Sequence, residues 1–197
     1  MENKTLHVAN DILMFKKGEG YVVGIDGLSR SGKTTFVTQL KKELEAKELQ
    51  VFVFHIDDYI VEKSRRYHTS YDEWYEYYYL QWDVHQLEND LFCNLKLSTE
   101  LQLSTYDQHN DTHKQELIKL PKSCVLIIEG VFLQRKEWRD YFDYVIYLDC
   151  PREQRFIRES KETQRDLEKF RNRYWKAEDH YLETEDPMKQ ANLVFRM

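Results

Sequence analysis

Tyr21 to Asp26 reads Y-V-V-G-I-D, a short apolar run bounded by glycines, and predicts a buried strand. A helix is predicted directly after it, because Phe36, Val37, Leu40 and Leu44 recur at helical spacing while Lys41, Lys42, Glu43 and Glu45 take the other face. Val51 to Ile56 is a second apolar run, so strand, helix and strand form a right-handed parallel unit. Cys124 to Ile128 and Tyr144 to Leu148 predict the third and fourth strands, and Asn192 to Arg196 a short fifth. Between strands two and three, Val61 to Lys122 is too long for a simple crossover and is expected to build part of a substrate site. Within it Tyr71, Trp74, Tyr75, Tyr78, Tyr79 and Trp82 fall on one helical stripe. Such a stripe usually serves packing; a base-stacking platform is the alternative. Val84, Leu87, Leu91, Phe92 and Leu95 continue as a second amphipathic helix, and Leu101 to Tyr106 can pair with Gln115 to Leu120 as a hairpin. Pro151, suited to a first helical turn, opens a charged helical stretch running toward Tyr181.

Composition narrows the picture. With 197 residues, 41% hydrophobic and 32% charged, the chain suits one domain with a sizeable core, and no repeat, linker or internal boundary divides it. A net charge of -6 lacks the broad basic surface of a protein that lives on nucleic acid and turns attention to small-molecule chemistry. No apolar run is long enough for a membrane span, and Met1 to Phe15 mixes charge with apolar residues, unlike a secretory signal. Cys93, Cys124 and Cys150 are widely spaced and odd in number, which suggests neither a disulfide framework nor a zinc site, so a reducing cytoplasm is the expected home. Of six glycines, Gly18, Gly20, Gly24, Gly27 and Gly32 crowd one short stretch, which points to close backbone approach there.

That stretch holds Gly27-Leu28-Ser29-Arg30-Ser31-Gly32-Lys33-Thr34, which satisfies G-x-x-x-x-G-K-[ST] between a predicted strand and a predicted helix. Backbone N–H groups of Gly27, Ser29, Arg30, Ser31 and Gly32 are expected to curl around nucleotide phosphates, aided by the helix dipole. Lys33 reaches the β and γ phosphates, Thr34 offers its hydroxyl to Mg²⁺, and Thr35 belongs beside the α-phosphate. An acid is needed near the metal, and Glu129, ending the apolar run Val125 to Ile128 just before Gly130, is the best candidate. The second strand ends His55-Ile56-Asp57-Asp58-Tyr59, beside the P-loop strand, where an acid can face the γ-phosphate. Strand alternation lets only one of Asp57 and Asp58 point inward. Residues 151–173 carry eight basic side chains against five acidic ones, and Arg155 and Arg158 share a helical face. This resembles a lid, about 151–173, whose guanidiniums neutralise a moving phosphoryl group; a solvated, salt-bridged helix is the plainer reading.

Taken together, these residues resemble the uridine kinase and phosphoribulokinase branch of P-loop kinases, which also contains nicotinamide riboside kinases. The likeness runs from about Tyr21 to Val194: G-I-D-G-L-S-R-S-G-K-T-T, Asp57-Asp58-Tyr59, Ile127-Ile128-Glu129-Gly130, Phe142-Asp143-Tyr144 through Arg155 and Arg158, and Ala191-Asn192-Leu193-Val194. It implies an α/β P-loop NTPase fold for residues 1–197: a five-stranded parallel sheet with helices on both faces, a helical and hairpin insertion at about 61–122 forming the acceptor site, and an arginine-bearing lid. It also implies ATP, Mg²⁺ and a small-molecule acceptor with a primary hydroxyl, and it selects Asp57, the first acid of its motif, as catalytic base beside Lys33, Arg155 and Arg158. Tyr59, Trp82, Asp83 and Tyr106, in the insertion or at its entrance, are the candidate acceptor residues. Trp82-Asp83 lacks the histidine, proline and phenylalanine pattern with which uridine kinases place the nucleoside, and Gln108 to His113 replaces the usual continuation after Tyr106-Asp107. A nucleoside is the first acceptor implied, with a vitamin precursor or sugar as alternatives and a homo-oligomer left open. A non-catalytic nucleotide switch is the rival class, disfavoured by the acid and arginines and by the lack of an N-K-x-D motif.

Overall fold

The computed structural model describes residues 2–16 and 20–197; Gly18 of the glycine cluster lies outside the described residues. Strands β1 (Gly20–Asp26), β2 (Val51–His55), β5 (Cys124–Gly130), β6 (Tyr144–Asp149) and β7 (Leu193–Arg196) form one sheet in the order β2-β5-β1-β6-β7. Every pairing in it is parallel. Strands β3 (Glu100–Asp107) and β4 (Thr112–Lys119) pair antiparallel as the hairpin. The order corrects one expectation: β2 does not lie beside β1, because β5 sits between them and pairs Glu129 with Ile25 on one side and His55 on the other. The β5 run is buried from end to end, so it needs a neighbour on each edge and a layer on each face, which a place inside the sheet supplies.

Alternate side chains of the strands feed two cores. On one face Val23, Ile25, Val125 and Ile127 pack against α2 (Lys33–Glu45) and α1 (Glu2–Phe15). The α1 helix, which the sequence pattern did not predict, buries Thr5, Val8, Ala9 and Ile12. On the other face Val22, Leu126 and Ile128 meet Trp82, Leu91, Phe92, Phe132, Trp138 and Tyr181. This second layer draws on α4 (Glu73–Tyr79) and α5 (Val84–Asp90) from the insertion and on α8 (Lys176–Glu185); the chain also forms the short helices α3 (Lys63–Arg66), α6 (Arg152–Ile157), α7 (Leu167–Lys169) and α9 (Pro187–Gln190).

The aromatic stripe is divided by its short helix. Tyr78 and Trp82 enter the core, while Tyr71, Tyr75 and Tyr79 lie against one another outside it, with centroids 4.4 and 4.5 Å apart. The stretch after Pro151 is not one helix. Gln164 Nε2 donates to the carbonyls of Phe156, Ile157 and Glu159, taking over the free end of α6. Ser160 and Asp166 then cap new turns through Thr163 N and Lys169 N, and α7 passes through a π-helical turn, Phe170–Trp175, into α8. Among the described residues no helix is long and apolar enough to cross a membrane. The three cysteines are free.

Candidate active site

The carboxyl end of β1 delivers the glycine-rich loop to the amino end of α2. Gly27 has φ +150, and a Cβ there would stand 2.8 Å from Leu148 O and from Ser31 Oγ, so only glycine fits. Gly32 has φ +99 and lets α2 begin at Lys33 with its first N–H groups turned to the loop. Beneath the loop, the fully buried Asp26 accepts from Gly27 N at 2.7 Å, Gln134 Nε2 at 2.8 Å and Tyr181 Oη at 2.6 Å. Burial raises its pKa, and these donors oppose the rise. Lys33 is 9% exposed and its ammonium is turned back onto Leu28 O at 3.1 Å; among the described residues the buried Ser31 hydroxyl has no partner. A cradle of N–H groups with an unspent hydroxyl and an ammonium parked on a loop carbonyl fits a polyphosphate.

Above the loop is a cleft of ≈ 760 Å³, lined by Ser29, Arg30, Gly32, Lys33, Thr34 and Thr35 on the phosphate side, and by Asp57 and Tyr77 across from them. Thr34 Oγ1 donates to Glu129 Oε1 at 3.1 Å, and His55 Nδ1 stands 2.6 Å from the same oxygen. Burial pushes the Glu129 pKa up, but His55, Lys33 and Thr34 together hold it below the ordinary value. The Glu129 hydrogen bond raises the His55 pKa despite burial. No cluster of three or more acidic, histidine or cysteine side chains ready to hold a metal exists among the described residues. A P-loop Mg²⁺ does not need one: a hydroxyl, phosphate oxygens and carboxylate-held water suffice, and Thr34 with Glu129 fits that donor set.

Asp57 and Asp58 lie on a 3-10 turn, Ile56–Tyr59, not on the strand, so the two carboxylates diverge by helical rotation instead of strand alternation. Asp57 faces the cleft. Its enclosure there raises its pKa, Lys33 opposes the rise, and Glu129 and Asp58 add to it. Asp58 does not line the cleft; partial burial raises its pKa, His55 opposes the rise, and Glu129 and Glu116 add to it.

The lid arginines differ from the expectation. Arg155 is 5% exposed and spends four N–H bonds on Cys150 O, Ser29 O and both carboxylate oxygens of Glu178. It braces the loop from the side and is not an open lid guanidinium. Arg158 is the freer of the two, resting on Arg30 O at 2.9 Å near Gly32.

The four acceptor candidates are not brought into this cleft. Tyr59 and Asp83 line a separate hollow of ≈ 320 Å³ against the hairpin. Asp83 also caps α5 through Gln86 N and pairs with Arg65 at 2.9 Å, and the Arg65 bond holds its pKa below the usual range. Trp82 is 2% exposed and donates from Nε1 to Ile56 O at 2.8 Å, fixing the turn that carries Asp57. Tyr106 accepts from Arg66 and donates to Asp111. Tyr77, Phe170, Tyr174 and Trp175, which line the cleft, escaped sequence reading, as did His55. Tyr77 lies off the stripe that drew attention to its neighbours. His55 shows itself only through the β2–β5 register.

A parallel sheet with β5 between the P-loop strand and an acid-bearing strand end, and a basic segment folded over the loop, defines a P-loop small-molecule kinase. The profile of the Phosphoribulokinase / Uridine kinase family matches residues 22–197. A uridine kinase of Staphylococcus haemolyticus is 30% identical over 165 residues, covering 78% of this chain and 75% of that protein. A possible uridine kinase from Bacillus stearothermophilus has a solved structure with TM-score 0.85 and 51% identity, covering 99% of this chain and 100% of the other. A D-glycerate 3-kinase from Cryptococcus neoformans shares the fold alone, at TM-score 0.57 and 12% identity, over 95% of this chain and 88% of that one. The chain belongs to the phosphoribulokinase and uridine kinase family.

Proposed function

We propose that the chain transfers the γ-phosphoryl group of Mg²⁺·ATP to the primary hydroxyl of a nucleoside, with uridine the first acceptor to test. One observation carries this reading: Asp57 shares a single cleft with Lys33 and the Thr34–Glu129 pair. The similarity to named uridine kinases supports the choice of a nucleoside.

Bound Mg²⁺·ATP supplies the phosphoryl group and a cation to offset its charge. The loop amides and Lys33 hold the phosphates and follow negative charge as it spreads over the transferring oxygens, binding the transition state more strongly than the ground state. Thr34 and Glu129 would hold the cation, which would offset phosphate charge there, and His55 fixes the Glu129 carboxylate. Asp57 accepts the proton of the acceptor hydroxyl and aims its oxygen. Arg158 closes over the phosphates, while Arg155 keeps Ser29 and the loop in shape through its ion pair with Glu178.

The test is ADP release from Mg²⁺·ATP across nucleosides, pantothenate-like vitamins and sugars, with the product identified by mass spectrometry. A nucleoside monophosphate made only when a nucleoside is present is the expected result. Turnover with only a sugar or vitamin would move the acceptor class, and ATP binding without acceptor-dependent turnover would favour a nucleotide switch.

A further inference from the structure

Tyr77 stands across the cleft from the phosphate loop, on the same side as Asp57. Tyr77 projects from α4 into the same cavity as Lys33, Asp57 and Glu129. Its ring is held from three sides: Phe132 at 5.4 Å, Tyr174 at 5.0 Å and nearly perpendicular, and the Arg173 guanidinium at 5.7 Å. Arg173 is itself locked by a buried ion pair with Glu76, so the wall behind the ring is rigid. Among the described residues the Tyr77 hydroxyl makes no hydrogen bond, whereas its neighbours Tyr78 and Tyr79 on the same helix spend theirs on Glu185 and His180. A rigid ring that carries a hydroxyl unspent on protein to the edge of a reaction cleft sets a positioned donor where a bound acceptor can take it.

We propose that Tyr77 is a specificity-determining residue that donates a hydrogen bond to an acceptor oxygen next to the hydroxyl held by Asp57. This rests on the reading of the cleft as a nucleoside kinase site. The right-angled corner of Tyr77 and Tyr174, continued by Phe170 and Trp175, suits an acceptor that carries a flat ring. The phenol is a donor under all working conditions: burial and then the Asp57 charge push its pKa well above that of ordinary tyrosine. An acceptor with a polar oxygen at that place keeps the donor satisfied, and one without it leaves the phenol unpaired, which is how a hydrogen-bonding site rejects a near relative.

The experiment compares the wild type and Tyr77→Phe, which keeps every ring contact, with uridine as the probe. Initial rates give the uridine KM and kcat, calorimetry gives the ATP Kd, and a melting curve monitors the fold. The expected result is a rise of about tenfold in the uridine KM, with kcat within about threefold and ATP Kd and Tm near wild type. Unchanged uridine KM and kcat in Tyr77→Phe would overturn the inference and leave the kinase reading intact. An equal loss in ATP Kd and uridine KM together with a lowered Tm would also overturn it, marking the phenol as structural. No uridine-dependent ADP release from the wild type would remove the uridine reading itself, and this inference with it.

Discussion

At the phosphate end of the cleft the ligand-facing groups are backbone amides, an ammonium and a hydroxyl delivered within one run from Gly27 to Thr34. The end proposed for the acceptor is assembled instead from side chains far apart in the chain: Asp57 on the turn after β2, Tyr77 on α4, and Tyr174 on the π-helical turn. A backbone-made site is fixed by local glycines and a helix start, so it tolerates change in the surrounding layers. A side-chain-made site depends on how the insertion and the lid stretch are pinned. Two buried ion pairs do that pinning, Arg155–Glu178 beside the loop and Arg173–Glu76 between the π-helical turn and α4.

The largest effect should come from Lys33→Ala, which removes the charge that tracks the phosphoryl group. We expect transfer to fall by about 10³-fold or more, with the melting curve little changed because, among the described residues, the ammonium bonds only to Leu28 O. Wild-type kcat in that variant would rule out the phosphate end as described.

Next comes the brace. Arg155→Ala leaves the Glu178 carboxylate buried without its partner and should cost about 3–5 kcal/mol of stability, read by chemical denaturation, while weakening ATP binding. Arg155→Met combined with Glu178→Leu should recover much of the stability but not the nucleotide affinity, because Ser29 O still lacks its donor. Recovery of both would make the pair purely structural.

Trp82→Phe probes the acceptor end at one remove. The buried Ile56 carbonyl loses its donor, a cost of about 1–3 kcal/mol, and the turn bearing Asp57 loosens. Lower kcat with an unchanged ATP KM is expected; an effect confined to acceptor KM would return Trp82 to the acceptor wall.

The smallest effect is a shift in pH dependence. Asp57 must be ionised to take a proton, and its pKa is raised by enclosure and by the charges of Glu129 and Asp58, so activity should fall on acidification at a pH above that of an ordinary carboxyl. Asp58→Asn removes one of the charges that raise it, and the acid limb of kcat should move to lower pH. On the alkaline side, burial lowers the Lys33 pKa, so activity should fade at a pH below the ordinary lysine range.

The contrast between the two ends also explains what could be read from sequence. The glycine loop, Lys33, Thr34 and Glu129 stand in local patterns whose chemistry is tied to fixed spacing, and the strands of the parallel sheet are continuous apolar runs. Strand order was not legible, since nothing in β2 states that β5 will enter between it and β1. Helix α1 was hidden because Leu6, Leu13, Met14 and Phe15 put apolar side chains on its outer face and blur the buried period of Thr5, Val8, Ala9 and Ile12. The breaks after Pro151 did have signals in Ser160, Gln164 and Asp166, which the charge pattern masked. The proposed acceptor wall was out of reach, because Tyr77 gains its place only when Phe132 and Tyr174 close around it.

Whether Asp57 or its neighbour serves the acceptor is decided by uridine-dependent ADP release at saturating ATP in Asp57→Asn and Asp58→Asn. Asp57→Asn should lower kcat by roughly 10²- to 10⁴-fold while ATP binding persists, and Asp58→Asn should stay within about tenfold of wild type at neutral pH. The reverse pattern, with Asp58 essential and Asp57 dispensable, would contradict the role given to Asp57.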